Sequence, residues 1–173
     1  EYINKNKNKI DNATLQVLRY QIAYTYFGNA QFSHSLVWTN TLLNNRATDR
    51  RMDIFLAARL LHIMSHIEKG NFDVAAHLGR SFDRFLHKTD TTYQIEKALL
   101  SFFSKKLYLA ASPSLSGKQI SQAFSEFKPI AEKILRSPFE KTLLDYIDLR
   151  SWIESKIENK PFAEIVANRK TKK

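Results

Sequence analysis

Apolar residues recur along most of the chain every three or four positions, the spacing that gathers them on one face of an α-helix. From this pattern we predict seven helices, at about 13–27, 30–45, 49–68, 72–88, 92–109, 116–135 and 138–159. Gly28, Gly70 and Pro161 follow predicted helices, as expected of residues that favour a C-cap or cannot continue a helix. The connections are short, so consecutive helices are expected to pack antiparallel. The pattern therefore predicts an all-α fold.

Two helix starts carry a capping pattern, and one helix contains a proline. Ser116 with Gln119 and Ser137 with Glu140 fit the capping box, in which a hydroxyl caps the helix and a side chain three residues later completes the cap. Pro129 lacks a backbone N–H and is predicted to kink or split the sixth helix. The sequence therefore predicts that the last helix begins near Ser137.

A short segment recurs loosely in the first half of the chain. Phe27-Gly28-Asn29-Ala30-Gln31-Phe32 is followed, 42 positions later, by Lys69-Gly70-Asn71-Phe72. In each copy we expect the glycine to take the left-handed conformation at the end of one helix and the asparagine to cap the next. The chain is therefore predicted to repeat a unit of two helices joined by a tight turn.

With Ala75 after the second turn, and Tyr20 and Tyr24 in the first helix, the chain resembles the tetratricopeptide repeat family and its longer-helix bacterial relatives. The period is about 42 residues, against 34 in the family. The resemblance implies an α-solenoid of stacked antiparallel helical hairpins that binds a peptide or a partner helix on its surface. The resemblance implies a repeat domain at 11–160, with hairpins at about 13–45, 49–88 and 92–135 and a closing helix at 138–159. By composition, residues 1–10 are predicted to be a polar linker and residues 161–173 a basic C-terminal tail.

Composition narrows the class of protein. The 173 residues are enough for one domain with its own core, and they contain no cysteine, which excludes disulfide frameworks and thiolate metal sites. No apolar run has the length of a membrane span, and no signal-peptide pattern opens the chain. We therefore expect no membrane insertion and a cytoplasmic location. Because the first residue is Glu1, we expect the chain to be the C-terminal part of a longer protein.

The net charge of +10 raises nucleic acid as a partner. Residues 1–10 contribute +2 and residues 168–173 contribute +4, so most of the excess lies at the two ends. Basic ends of this kind are usually solvated tails. A basic helical repeat that binds nucleic acid is therefore kept as the alternative function, supported by the arginines Arg50, Arg51, Arg80 and Arg84.

The third predicted helix carries a polar stripe in an otherwise wide apolar face. Arg59, His62, His66 and Lys69 lie within about 80° of one another around the helix axis. The two histidines have a spacing that can hold a metal, but Ile63 stands where zinc peptidases need a glutamate. Two neighbouring cations would also repel a metal ion. We therefore predict no metal site here.

The sequence is compatible with two arrangements of this stripe. It can face a groove and bind an anion, or it can pack inside its own hairpin as a buried polar network. In the second case its charges need partners, and Glu68, Asp73 and Asp83 are the acidic residues nearby in sequence. The repeat alignment favours the packed network.

The fourth predicted helix carries His77, Arg80 and Arg84 along one polar face. Such a face is usually exposed to solvent. Arg80 and Arg84 lie one turn apart, however, and could together bind a phosphate or carboxylate. Asp73 and Asp83 on the same helix would partly neutralise such a site.

The common catalytic motifs are missing. Gly117-Lys118 lacks the other residues of a phosphate-binding loop, and Ser81 after Gly79-Arg80 lacks the trailing glycine of a nucleophile elbow. We therefore predict no catalytic residues and no cofactor. The expected function is a non-enzymatic protein–protein interaction scaffold, with Arg59, His62, His66, His77, Arg80 and Arg84 as the candidate binding residues.

Overall fold

The structure is a computed structural model that describes residues 10–44, 51–89, 94–110 and 117–170. Within these ranges the chain is all-α and has no strand, as predicted. Its α-helices are α1 Asn12–Gly28, α2 Phe32–Leu43, α3 Met52–Glu68, α4 Phe72–Thr89, α5 Gln94–Ser101, α6 Tyr108–Ala110, α7 Gly117–Ile134, α8 Leu149–Glu158 and α9 Phe162–Lys170. A π-helix, Phe102–Leu107, joins α5 to α6, and a 3₁₀ helix spans Glu140–Asp145. Residues 1–9 of the predicted linker, Ser116 and residues 171–173 lie outside the described ranges.

The chain divides into two units, the first ending at Lys69 and the second beginning at Gly70. The predicted single repeat domain at 11–160 therefore contains a boundary between α3 and α4. The predicted hairpin at 49–88 spans this boundary, so it remains a prediction. Gly70 itself has a φ of +74°, the left-handed conformation expected of it.

In the first unit α1 and α2 pack along each other, and α3 packs mainly on α2. Asp11 begins α1, since its carboxylate accepts a hydrogen bond from the Thr14 backbone N–H at 2.9 Å. The turn after α1 differs from the prediction. Gly28 stays helical, and Ala30 takes the left-handed conformation with a φ of +57°. Asn29 is the C-cap of α1 and does not cap α2, which begins after Gln31.

The core of the first unit is centred on α3. The predicted wide apolar face is present, and its buried residues are Ile54, Phe55, Leu56, Ala57, Ala58, Leu60, Leu61, Ile63, Met64 and Ile67. Gln16 of α1 fixes the start of this helix, because its side-chain oxygen accepts a hydrogen bond from the backbone N–H of Arg51 at 3.1 Å. A helix buried on most of its circumference depends on neighbours on several sides.

In the second unit α4 packs on α5, the π-helix and α6, which form one continuous helical run, here called the α5–π segment. α4 faces the α5–π segment at Gly79. A Cβ atom there would lie 3.8 Å from the carbonyl oxygen of Leu100 and 3.9 Å from the Cβ atoms of Phe103 and Ser104. An alanine would therefore fit between the two helices at ordinary contact distance.

An aromatic cluster packs the α5–π segment against α7 and α8. The Phe102 ring stacks on Phe127 of α7 with centroids 4.4 Å apart, and Phe103 meets Trp152 of α8 edge-on at 5.9 Å. Phe124 also meets Trp152 edge-on, at 5.3 Å. Each of these rings is buried, so the cluster joins the α5–π segment to α7 and α8.

Glu140 has a different role from the one predicted. Its carboxylate accepts hydrogen bonds from the backbone N–H groups of Gln94 and Ile95, at 2.9 and 3.0 Å. It therefore caps α5 from a distant part of the chain and does not complete a capping box with Ser137. The last predicted helix accordingly begins later, at Leu149, where the Asp148 side chain accepts from the backbone N–H of Ser151.

Pro129 does not split its helix, since α7 runs without interruption from Gly117 to Ile134. Proline removes one hydrogen bond to the carbonyl four residues earlier. Both Pro129 and Ser125 are exposed, so the loss of that hydrogen bond falls on the water-facing side of the helix. The predicted split is therefore wrong, and the predicted kink stays a prediction.

Most of the predicted basic tail at 161–173 is also helical. Residues Phe162–Lys170 form α9, which packs on α8, and Ile165 is only 4% exposed. Pro161 stands just before the helix, where a proline costs no hydrogen bond. The prediction of a tail rested on the basic composition of this segment and did not take the buried Ile165 into account.

We expect Glu140→Ala to lower the free energy of unfolding by about 1–2 kcal/mol, the usual cost of losing a helix cap. Two backbone N–H groups of α5 would lose their acceptor. Denaturant unfolding followed by circular dichroism measures the change. Asp145→Ala, at an exposed position in the same 3₁₀ helix, is the control and should stay within about 0.5 kcal/mol of wild type. Equal effects of the two substitutions would show that Glu140 is not a cap.

We expect Gly79→Ala to stabilise the protein by up to about 1 kcal/mol, because alanine favours a helix interior over glycine. The added Cβ would meet its neighbours at ordinary contact distance. Gly79→Val adds two more methyl groups at the same point and should destabilise. Thermal unfolding of both variants measures the difference, and a destabilised Gly79→Ala would contradict the described packing.

Candidate ligand-binding cleft

The six candidate residues fall into two sets on different units. Arg59, His62 and His66 lie on α3 of the first unit. His77, Arg80 and Arg84 lie on α4 of the second. Each set is considered within its own unit.

On α3, His62 is bound to the neighbouring helix. Its Nδ1 lies 2.8 Å from the hydroxyl oxygen of Thr39 on α2. The same hydroxyl lies 3.0 Å from the carbonyl oxygen of Ser35, so Thr39 connects His62 to the α2 backbone. The hydroxyl oxygen of Ser65 on α3 lies 3.2 Å from that of Ser35, which extends the contact between the two helices.

Burial keeps these histidines uncharged. Desolvation, together with smaller contributions from His66 and Arg59, lowers the pKa of His62 from 6.5 to about 4. Burial also lowers the pKa of His66, with a smaller contribution from Lys69. Two neutral imidazoles attract an anion only weakly.

The rest of the α3 stripe also has partners within the unit. The Arg59 guanidinium lies 4.8 Å from the centre of the Phe55 ring, a cation–π contact. Lys69 donates to the Ser33 hydroxyl of α2 at 2.7 Å. The described part of the chain contains no group of three or more metal-binding side chains. The stripe is therefore a packed polar network, but His62 and Lys69 contact hydroxyl groups of α2 and do not pack inside the predicted hairpin at 49–88.

On the second unit an open cleft of about 280 Å³ lies between α4 and the α5–π segment. Arg80, Asp83 and Arg84 line it from α4. Leu100, Ser101, Ser104 and Lys105 line it from the other wall. Two residues of this wall, Leu100 and Ser104, are also the neighbours of Gly79, so the cleft adjoins the contact between the two helices.

The cleft is electrically positive. Arg80, Arg84 and Lys105 are exposed, and among the described residues none of them forms an ion pair or a side-chain hydrogen bond. The one carboxylate in the lining belongs to Asp83, whose Oδ1 lies 3.7 Å from Nδ1 of His87. Three cations held near one another repel, and an anionic ligand would remove that repulsion.

Sequence reasoning identified one wall of this cleft and missed the other. Ser101, Ser104 and Lys105 were not among the candidates, because nothing in the order of residues shows which helix faces Arg80. The doublet Lys105-Lys106 was the available signal. Lys106 pairs with Glu126 of α7, which leaves Lys105 to face the cleft.

The wall of the cleft that carries Ser104 and Lys105 belongs to the π-helix. A π-helix has a wider turn than an α-helix and often occurs at functional sites. Here it runs through Ser104, Lys105 and Lys106. His77, one turn before Arg80, is exposed but does not line the cleft.

No protein-family model, curated protein sequence or solved structure matches the chain. The resemblance to tetratricopeptide repeats therefore stays a prediction. None of the helices in the described ranges combines the length and apolar character that a membrane span requires.

We expect the protein to lose stability as the pH falls from 6.5 to 4. The unfolded chain protonates His62 near pH 6.5, whereas the folded chain does so only near pH 4, so acid favours unfolding in this window. The contribution of His62 to the free energy of unfolding is fully present well above pH 6.5. Its loss in acid amounts to at most about 3 kcal/mol. Chemical denaturation at a series of pH values measures it.

Two matched variants assign this effect. His62→Gln removes the contribution of His62 and should make the dependence of stability on pH clearly shallower, with His66 contributing the remainder. His77→Gln, at an exposed position, is the matched control. An unaltered pH dependence in His62→Gln would contradict a buried neutral His62.

Proposed function

We propose that the chain is a non-enzymatic protein-binding module, and that a partner protein binds by placing an acidic segment in the cleft of the second unit. The supporting observation is the set of three free cations, Arg80, Arg84 and Lys105, on the two walls of one open cleft. Opposite charge in a concave site increases both the rate and the specificity of association.

The chemistry of the lining supports binding over catalysis. It contains two hydroxyl groups and no histidine. The Ser104 hydroxyl donates to the Leu100 carbonyl oxygen at 2.7 Å, so its proton is already held by the backbone. An activated serine needs a general base within hydrogen-bond reach, and a cleft dominated by cations does not favour one.

Apolar groups near the cleft support a protein as the partner. Leu100 forms part of the lining, and Leu109, four residues after Lys105 along the same segment, is 68% exposed. A partner segment that combines acidic and apolar side chains would meet both features. Exposed apolar side chains beside charged ones are common in protein interfaces.

The alternative, a basic repeat for nucleic acid, has less support. Of the four arginines that suggested it, Arg50 lies outside the described residues. Arg51 pairs with Asp53 through Nε and Nη2, at 3.0 and 2.6 Å. A polynucleotide needs cations along a line of phosphates. Of the three of these arginines that lie in the described ranges, Arg80 and Arg84 are without an ion pair.

The stacked-hairpin solenoid and the cytoplasmic location belong to the same proposal. Packing of consecutive helices within each unit supports the first. The lack of cysteine fits the second.

We expect the whole chain to bind a fluorescein-labelled peptide of alternating Glu and Leu more tightly than the same peptide with Gln for Glu. Arg80→Glu/Arg84→Glu should weaken binding by about tenfold or more, since each charged hydrogen bond contributes more than 1 kcal/mol. Fluorescence anisotropy measures the affinity.

The control is Lys118→Glu/Arg136→Glu, which changes the net charge equally at exposed positions outside the cleft. It should bind as wild type does. Equal losses in the two variants would show that only overall charge matters, and tighter binding of a single-stranded oligonucleotide would favour the alternative.

A further inference from the structure

The charge of the cleft indicates which acidic group fits it. Its lining holds three cations and one carboxylate, Asp83, which leaves an excess of two positive charges. A single carboxylate of a partner carries one negative charge and would leave half of this excess. A phosphorylated serine or threonine carries about −1.5 to −2 charges at neutral pH and would balance it.

The arrangement of donors also suits a phosphate group. Arg80 and Arg84 are four residues apart on one helix, so their side chains emerge about 6 Å apart on the same wall. Lys105 approaches from the opposite wall. A carboxylate offers two oxygens in one plane, whereas a phosphate offers three terminal oxygens that can accept donors from several directions.

Ser101 adds a further polar group to the lining. It is exposed, and it precedes Lys105 by four residues on the wall that faces the two arginines. A hydroxyl can donate to a phosphate oxygen while the guanidinium groups bind the others. The cleft thus presents donors of three kinds to one anionic group.

We propose that the cleft formed by Arg80, Arg84, Ser101 and Lys105 recognises a phosphorylated serine or threonine in a segment of a partner protein. This inference rests on the proposed function and adds the chemical nature of the group bound. The volume of about 280 Å³ suits one such group and not a run of them. Arginine clusters are a recurring means of recognising phosphorylated segments.

The test compares three fluorescein-labelled peptides that differ only at the central residue, which is phosphoserine, serine or glutamate, flanked by Glu and Leu. Affinity for the whole chain is measured by anisotropy at pH 7.5. We expect the phosphoserine peptide to bind about tenfold more tightly than the serine peptide and several-fold more tightly than the glutamate peptide. Inorganic phosphate at millimolar concentration should displace it.

A charge-preserving variant separates phosphate recognition from general attraction. Arg80→Lys/Arg84→Lys keeps both positive charges but removes the paired donors of each guanidinium. It should lose more affinity for the phosphoserine peptide than for the glutamate peptide, and with it most of the preference for phosphoserine. An unchanged preference in this variant would overturn the assignment of the arginines.

The remaining outcomes separate this inference from the proposed function. Equal affinity for the phosphoserine and glutamate peptides would overturn the phosphate inference and leave the acidic-segment proposal standing. Failure to bind any of the three peptides would overturn both. Tighter binding of a single-stranded oligonucleotide than of the phosphoserine peptide would assign the cleft to nucleic-acid phosphates and overturn the inference.

Discussion

The close packing of α4 on the α5–π segment is the contact on which the second unit depends. Gly79 faces Leu100 and Ser104, which also line the cleft, so the cleft adjoins this contact. On the other side of the α5–π segment, Phe103 packs against Trp152, and Glu140 accepts hydrogen bonds from the first N–H groups of α5. Packed aromatic rings and a distant helix cap therefore fix the position of the wall that carries Lys105.

Two stripes of similar composition acquire opposite roles because they differ in burial. His62 on α3 is desolvated, loses its charge and bonds to Thr39. Arg80 and Arg84 on α4 stay in water and keep their charges. Burial of a titratable group favours its neutral form, whereas an exposed cation remains available to a ligand. The first stripe therefore stabilises helix packing, and the second is suited to binding.

The helices themselves were predictable, because the spacing of apolar residues reports a local property of the chain. The features that build the cleft depend on residues distant in sequence. Glu140 looked like a local cap, but its partner is 46 positions away at Gln94. Lys105 faces Arg80 only because two helices pack. Ile165 was overlooked inside a basic segment, since one buried side chain gives no periodic signal.

Ligand binding in the cleft of the second unit can be observed by NMR titration of the whole chain with the phosphoserine peptide, following backbone amides and the arginine Nε–H groups. We expect the largest shifts at Arg80, Arg84 and residues 101–105, with the resonances of His62 and His66 unchanged. Shifts centred on α3, with those of Arg80 and Arg84 unmoved, would contradict binding in the cleft.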